Sequence, residues 1–250
     1  MTTPILIVAF GAMSQAARSA YALFETEVRE AFPGHDIHWA YTAKSLVARL
    51  KANGERAQLL AEAYADLRER GHRKVALLSL HLVPGEQHFT ILEEDPQGLK
   101  VSHAGPLMGT PRDISLVAEA LAAELPRDRP VLVVAHGHAH EAKYNLELAA
   151  LAERLGVLHP DLLMTRLDGD EAPEALEAFM GRARAAGRVH VDPFLYVAGD
   201  HVRNDILGED ADSLKSRLGV SDFTCGAVLG ERPWVRHHFL EQLRNALETA

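Results

Sequence analysis

The feature that most constrains the fold is the regular alternation of short apolar runs with longer stretches of helical periodicity. Residues 4–10 (PILIVAF) and 131–135 (VLVVA) are almost wholly apolar, as strands buried on both faces are, and helical patterns follow them. Strands that alternate with helices form parallel sheets covered on both faces. The sequence therefore predicts an α/β fold, with reactive groups collected at the carboxyl ends of the strands.

Apolar runs and turn residues place the elements. We expect strands at 4–10, 36–41, 74–81, 131–135, 162–167 and 188–197, and helices at 14–32, 58–70, 113–125, 140–155, 172–186 and from Pro233 onward. Two pairs of segments then recur in the same order: VAFG (8–11) with VAHG (134–137), and LVPGEQH (82–88) with YVAGDH (196–201). They predict two similar α/β halves, residues 1–125 and 126–250, facing a central cleft. A chance likeness of short glycine turns is the alternative.

Composition excludes several classes of protein. The hydrophobic fraction of 47% and charged fraction of 24% are typical of globular chains, and one cysteine cannot form an intramolecular disulfide. No apolar run approaches the roughly 20 residues that span a bilayer, and no basic segment precedes the first run. A net charge of −9 without a run of Lys and Arg disfavours nucleic-acid binding. We expect a cytoplasmic protein with no membrane or nucleic-acid partner.

Histidines and carboxylates follow several of the predicted strands. His136 ends the strand VLVVAH and begins the cluster HGHAH, and His201 follows the apolar run 194–198. Glu86 lies in the turn after strand 74–81, and Asp170 follows strand 162–167, where it can equally be a helix N-cap. Imidazole and carboxylate ligands suit Zn, Co, Ni or Fe rather than Mg or Ca. The sequence thus predicts an N/O metal site, and the lack of a nearby thiolate argues against structural zinc.

The residues after His201 are rich in Asp and Glu, including Asp205, Glu209 and Asp210. Such a stretch is typical of a solvated loop, and its charge can also attract cations in general. GxGxxG, GxxxxGK[ST] and GxSxG are all absent from the sequence, so dinucleotide, P-loop and serine-hydrolase functions have no support.

The segments HGHAH, GDHVRNDILGEDADSLKSRLG and SLHLVPGEQH resemble the sirohydrochlorin cobaltochelatases of the anaerobic cobalamin pathway, which are class II chelatases related to ferrochelatase. The resemblance runs nearly end to end and implies two α/β halves around a tetrapyrrole cleft. It implies that a divalent metal, cobalt or alternatively iron or nickel, enters sirohydrochlorin while two pyrrole protons leave. The metal is then a substrate, and no organic cofactor is expected.

The resemblance also implies roles for particular residues. The family's metal-handling histidines fall on His136 and His201, which are expected to bind the metal and accept protons. Its acidic partner falls on Asp170, a shorter carboxylate than the family's Glu, and another family carboxylate is replaced by Gln87, next to Glu86. We expect Asp170 and Glu86 to balance charge. Because the net charge of −9 opposes binding of the substrate carboxylates, local cations are needed, and the candidates, which the sequence does not rank, are Lys44, Arg49, His81 and His88.

Two other functions stay open at this point. A metal-dependent hydrolase would use the HGHAH cluster around a zinc-activated water, and would need both His138 and His140. A non-catalytic tetrapyrrole or metal carrier would bind tightly without turnover. The sequence also leaves the oligomeric state open, a homo-oligomer included.

Overall fold

The chain divides into two compact units in the structure, a computed structural model that describes residues 2–169 and 172–250. Unit 1 comprises the residues up to Gly109 together with Pro233–Ala250, and unit 2 comprises Thr110–Arg232. Each unit contains one four-stranded sheet in which all neighbouring strands are parallel. The prediction of an α/β protein with two parallel sheets is confirmed. Within the described ranges, no helix is long and apolar enough to cross a membrane.

Unit 1 begins with four strands and four helices. They are β1 (Ile5–Ala9), α1 (Gln15–Ala31), β2 (Ile37–Tyr41), α2 (Lys44–Ala52), α3 (Leu60–Glu69), β3 (Lys74–Ser79), α4 (Glu86–Glu93) and β4 (Lys100–Ala104). The strand order is β2-β1-β3-β4. Ser14 caps α1, because its hydroxyl accepts a hydrogen bond from the backbone N–H of Ala17. Serine is one of the residues preferred at this position.

Unit 2 repeats this plan. Its elements are α5 (Pro111–Glu124), β5 (Val131–Gly137), α6 (Leu146–Leu158), β6 (Leu162–Asp168), α7 (Pro173–Ala186), β7 (Arg188–Phe194), α8 (Leu214–Leu218) and β8 (Asp222–Cys225). The order β6-β5-β7-β8 places the second strand of the unit outside the first, as in unit 1. The two sheets therefore have the same topology.

The units differ from the predicted halves at two helices. The predicted boundary at 125 places α5 in the first half, but α5 packs on α6 in unit 2. The terminal helix α9 (Pro233–Thr249) packs on β3 and β4 of unit 1, and Phe239 meets Phe24 of α1 edge to face at 6.1 Å. The same physical reason assigns α5 to unit 2 and α9 to unit 1: each helix belongs to the unit that buries its apolar face. The cleft between the halves stays a prediction.

Two strands and three α-helices were not predicted from the sequence, namely β4, β8, α2, α4 and α8. The strands β4 (KVSHA) and β8 (DFTC) lie at sheet edges, where polar side chains replace the apolar run that marks a buried strand. The short helices α2 and α4 lack a side-chain N-cap hydrogen bond, so the sequence has no capping residue that marks where they begin. As a result Glu86, which was expected in a turn, is the first residue of α4.

A buried ion pair fixes the end of unit 2. Arg232 and Asp192 are 6% and 1% exposed, and the guanidinium Nη2 donates to the Asp192 carboxylate at 2.6 Å. The same guanidinium donates to Glu124 at the end of α5 and to the backbone carbonyl of Ala227. Arg232 thus joins β7, α5 and the segment after β8 at the point where the chain leaves the unit.

Replacing Arg232 by Met should lower the free energy of unfolding by about 3–5 kcal/mol, because it leaves a buried carboxylate without its cation. The control is the exposed pair Arg217–Glu177, at 2.8 Å, for which Arg217→Met should cost less than about 1 kcal/mol. Urea unfolding followed by circular dichroism measures both variants. Equal losses would show that the buried pair adds no stability of its own.

Candidate functional site

His136 lies at the carboxyl end of β5, directly after a fully buried stretch. Residues 131–135 are at most 1% exposed, whereas the side chain of His136 is 48% exposed. Dense packing on both sides fixes the position of such a strand. The imidazole at its end is therefore presented to solvent from a rigid support.

Two glycines bring the ends of β5 and β6 together. Gly137 has φ of +79° and pairs with Asp168, and a Cβ at Gly137 would lie 2.1 Å from the Asp168 carbonyl oxygen. Gly169 has φ of +69°, and a Cβ there would lie 2.5 Å from the His138 carbonyl oxygen. Any side chain at either position would push the two strand ends apart.

Asn145 fixes the turn that follows His136. This buried side chain accepts a hydrogen bond from the backbone N–H of His138 and donates one to the carbonyl of His138, both at 2.9 Å. The two polar groups of that peptide segment are therefore satisfied by one amide. Asn145 was not predicted as a site residue, because its spacing from His136 matches no known motif.

His201 comes from a different part of unit 2. It begins a π-helical turn, His201–Ile206, whose residues Val202 and Ile206 are buried while His201 faces solvent. Turns of this kind are rare and are frequently found at functional sites. Its Nδ1 lies 2.6 Å from Oδ2 of Asp205. Asp205 therefore contacts a site residue, whereas the sequence indicated a solvated loop or a general attraction for cations.

The two predicted histidines meet in the structure. The ring centroids of His136 and His201 are 4.6 Å apart, with the rings nearly perpendicular at 89°. Nδ1 of His136 lies 2.9 Å from the carbonyl oxygen of Gly137 and 3.8 Å from Oδ2 of Asp168. A carbonyl can only accept, so this contact favours a proton on Nδ1 and a free lone pair on Nε2. Carboxylates beside both rings add negative charge where a cation would bind.

The other two predicted ligands, Asp170 and Glu86, remain predictions. Asp170 lies outside the described residues, and Glu86 belongs to unit 1, so its place in the metal site stays a prediction. Nδ1 of His138 accepts a hydrogen bond from the backbone N–H of Glu141 at 3.0 Å. Among residues 2–169 and 172–250, no three His, Cys, Asp or Glu side chains form a metal-binding group. The HGHAH cluster therefore does not form the zinc triad of a hydrolase.

Unit 1 contains another pair of imidazoles, of which His88 is buried and His81 is partly buried. The hydroxyl of Ser79 lies 3.0 Å from Nδ1 of His81 and 2.8 Å from Nδ1 of His88. Burial lowers the pKa of His81 to about 3, and His88 adds to this shift. Burial likewise lowers the pKa of His88 to about 4, with a further contribution from His103. The lowered pKa values disfavour the cationic form of both rings at pH 7, so their role as cations for the substrate carboxylates is not supported and stays a prediction.

The sequence of this chain matches a known protein family over nearly its whole length. The sequence model of the family described as cobalt chelatase (CbiK) matches residues 3–248. The chain belongs to the cobalt chelatase family. The predicted resemblance is thereby confirmed, and the enzyme class of the family is that of a metal chelatase.

Two curated relatives support this placement. The sirohydrochlorin cobaltochelatase CbiKC of Nitratidesulfovibrio vulgaris is 30% identical over 236 residues, covering 90% of this chain and 82% of the relative. The sirohydrochlorin cobaltochelatase of Salmonella typhimurium is 26% identical over 264 residues, covering 100% and 98%. The match extends through both units in each case.

Solved structures share the fold. SirB from Bacillus subtilis with Fe³⁺ superimposes with a TM-score of 0.64 at 13% identity, covering 98% of this chain and 96% of SirB. The same protein from the subspecies spizizenii, in complex with cobalt, gives a TM-score of 0.64 at 13% identity over 100% and 97%. CbiX of denitrifying bacteria gives 0.55 at 18% identity over 97% and 98%. At these identities the likeness concerns the fold alone.

Gly137→Ala tests the close approach of β5 and β6. An alanine at positive φ costs about 1–3 kcal/mol wherever it occurs. Gly187, with φ of +68° and no atom within 4 Å of its ideal Cβ, is the matched control. Because only Gly137→Ala also drives a Cβ into the Asp168 carbonyl, it should cost about 1–3 kcal/mol more than Gly187→Ala in thermal or urea unfolding. Equal costs would mean that the strand ends can separate freely.

The buried imidazoles of unit 1 predict a pH-dependent stability. From the ordinary value of 6.5, folding lowers the pKa of His81 to about 3, so protons bind preferentially to the unfolded chain below pH 6.5. The free energy of unfolding should be at its full value above pH 6.5. It should decrease as the pH is lowered below 6.5, by up to about 1.4 kcal/mol per pH unit for each imidazole. Urea unfolding between about pH 7 and pH 5 measures this slope.

His81→Asn removes one of these groups and should make the decline shallower, whatever its effect on stability at pH 7. His140→Asn is the control, because His140 is exposed and lies in the other unit. If the slope of His81→Asn equals that of the wild-type protein, the burial of His81 does not control its protonation.

Proposed function

We propose that this chain inserts Co²⁺ into sirohydrochlorin and releases two pyrrole protons, as a step in cobalamin biosynthesis. The observation that supports this most directly is the contact between His136 and His201, at 4.6 Å between ring centroids, in a member of the cobalt chelatase family. The substrate comes from the names of the two curated relatives.

The imidazole pair fits temporary binding of a metal substrate. Metal–nitrogen bonds of about 2.1 Å would allow two rings at this separation to occupy adjacent positions around one ion. Structural sites enclose zinc with four protein ligands, whereas a two-imidazole site leaves most positions open. A divalent ion bound in this way can pass to the four nitrogens of a macrocycle.

The same two atoms can take up the protons that leave. When Co²⁺ moves from His136 and His201 to the macrocycle, each Nε2 lone pair becomes free, and imidazole accepts protons near neutral pH. Two protons then replace one divalent cation, so the charge at the site is the same before and after the exchange. Protons next pass to solvent, which both half-exposed rings contact.

Charge around the site favours the metal and opposes the macrocycle. The chain carries −9 overall, and Asp168 and Asp205 lie beside the two rings. This field attracts a divalent cation but repels the carboxylates of sirohydrochlorin. Lys44 and Arg49, exposed on α2, remain the proposed partners of those carboxylates. Asp170 and Glu86 remain proposed contributors to charge balance.

The proposal extends to the cofactor, the cellular location, the partners and the choice of metal. We propose that the enzyme needs no organic cofactor, works in the cytoplasm, and has neither a nucleic-acid nor a membrane partner. Co²⁺ is the proposed metal, with Fe²⁺ and Ni²⁺ as the alternatives that an N/O site also accepts.

His136→Ala should lower the rate of metal insertion by at least about 100-fold, because it removes one of the two imidazoles that bind the metal and accept protons. The measurement is the change in the visible spectrum when purified protein, sirohydrochlorin and Co²⁺, Fe²⁺ or Ni²⁺ are mixed. Tetrapyrrole binding, followed by fluorescence quenching, should persist in the variant.

His140→Ala is the control and should retain insertion, since His140 lies outside the imidazole pair. Full activity of His136→Ala would refute the assignment of His136. Tight tetrapyrrole binding by the wild-type protein without any insertion would indicate a carrier instead.

A further inference from the structure

The π-helical turn places a carboxylate beside His201 through its own geometry. Val202 and Ile206 are spaced by four residues and are 5% and 0% exposed, so they anchor the inner side of the turn in the core. His201 and Asp205 have the same spacing and lie on the outer side, with side chains 48% and 49% exposed. The packing that anchors the first pair therefore brings the second pair together.

Backbone contacts keep this turn wide. The N–H of Leu207 donates to the carbonyl of Val202 at 3.0 Å, which is the hydrogen bond that defines a π turn. The N–H of Gly208 donates to the carbonyl of Asn204 at 3.2 Å, and a Cβ at Gly208 would lie 2.2 Å from that oxygen. Ser213 then donates its hydroxyl to the Gly208 carbonyl at 2.6 Å. The orientation of His201 relative to Asp205 is thus supported from both ends.

The contact between the two side chains specifies which nitrogen carries the proton. Nδ1 of His201 and Oδ2 of Asp205 are 2.6 Å apart, slightly shorter than the roughly 2.7–2.9 Å of a charge-assisted N–H···O hydrogen bond. An ionised carboxylate can only accept. Nδ1 must therefore be the donor, and in a neutral ring Nε2 keeps its lone pair.

We propose that Asp205 is a positioning residue, which fixes His201 as the Nδ1–H tautomer and directs its Nε2 lone pair to the metal substrate. Carboxylates that orient metal-binding imidazoles in this way are typically worth 10–100-fold in metal affinity. His136 obtains the same tautomer from a backbone carbonyl, that of Gly137. The acceptor for Nδ1–H is thus a side-chain carboxylate, Asp205, at His201 and a backbone carbonyl, that of Gly137, at His136.

The tautomer follows from the contact alone, whereas its effect on the metal rests on the proposed function. The first measurement is therefore made without metal or tetrapyrrole. Nitrogen-15 NMR of the full chain, at a pH where imidazole is neutral, should show His201 as Nδ1–H in the wild-type protein. In Asp205→Ala the ring should change to a larger Nε2–H population, and Asp205→Asn, which keeps an acceptor oxygen, should restore part of the Nδ1–H form.

The second measurement is Co²⁺ binding by the same proteins, followed by the visible absorption of the bound ion. Asp205→Ala should weaken binding about 10–100-fold, and Asp205→Asn by less. Asp200→Ala is the matched control. It removes one negative charge from the start of the same turn, but Asp200 pairs with Arg203 at 2.6 Å rather than with His201. Its effect should be no more than about threefold, as for a screened surface charge.

Two results would overturn the proposal: a wild-type His201 that is Nε2–H, or equal losses of Co²⁺ affinity in Asp205→Ala and Asp200→Ala. Neither measurement involves sirohydrochlorin. If the tautomer and the affinities behave as expected but the wild-type protein inserts no metal, the role of Asp205 stands and the proposed function fails.

Discussion

The contact between the carboxyl ends of β5 and β6 is the constraint on which the site depends. In a parallel sheet every strand ends at the same edge, but side chains normally separate neighbouring turns. Gly137 and Gly169 remove that separation, and the backbone of each turn then lies against the other. His136 is presented from this compact edge, and Asn145 keeps the turn from relaxing. The position of the imidazole is thus a property of the backbone rather than of its own side-chain contacts.

The two imidazoles are supported differently, and this difference matters for a metal that must leave again. His136 stands at the end of a buried strand, whereas His201 stands on a π-helical turn anchored by two apolar side chains. Both rings remain about half exposed, so water can reach them throughout. A closed site would bind an ion more tightly and release it more slowly. The open pair is consistent with the passage of a substrate metal.

Much of this arrangement can be predicted from the sequence, and the exceptions have physical causes. The apolar run 131–135 followed by His136 and Gly137 marks a buried strand with a reactive end, and the paired segments indicate two similar halves. The π turn has no comparable signal, because its acidic residues also suit a solvated loop. The contact of Ser79 with His88 joins β3 to α4, a helix that was not predicted, so the environment of His81 could not be inferred from the sequence. The unit to which α9 belongs is likewise decided by tertiary packing.

The discontinuous composition of unit 1 has a consequence for synthesis on the ribosome. Residues up to Gly109 leave the exit tunnel before unit 2 does, yet the helix that covers β3 and β4 is translated after unit 2. Unit 2, a continuous segment, is complete before that helix emerges. The usual order, in which the amino-terminal domain folds first, is therefore reversed. Until α9 has been synthesised, the surface of β3 and β4 that it covers remains exposed in the nascent chain.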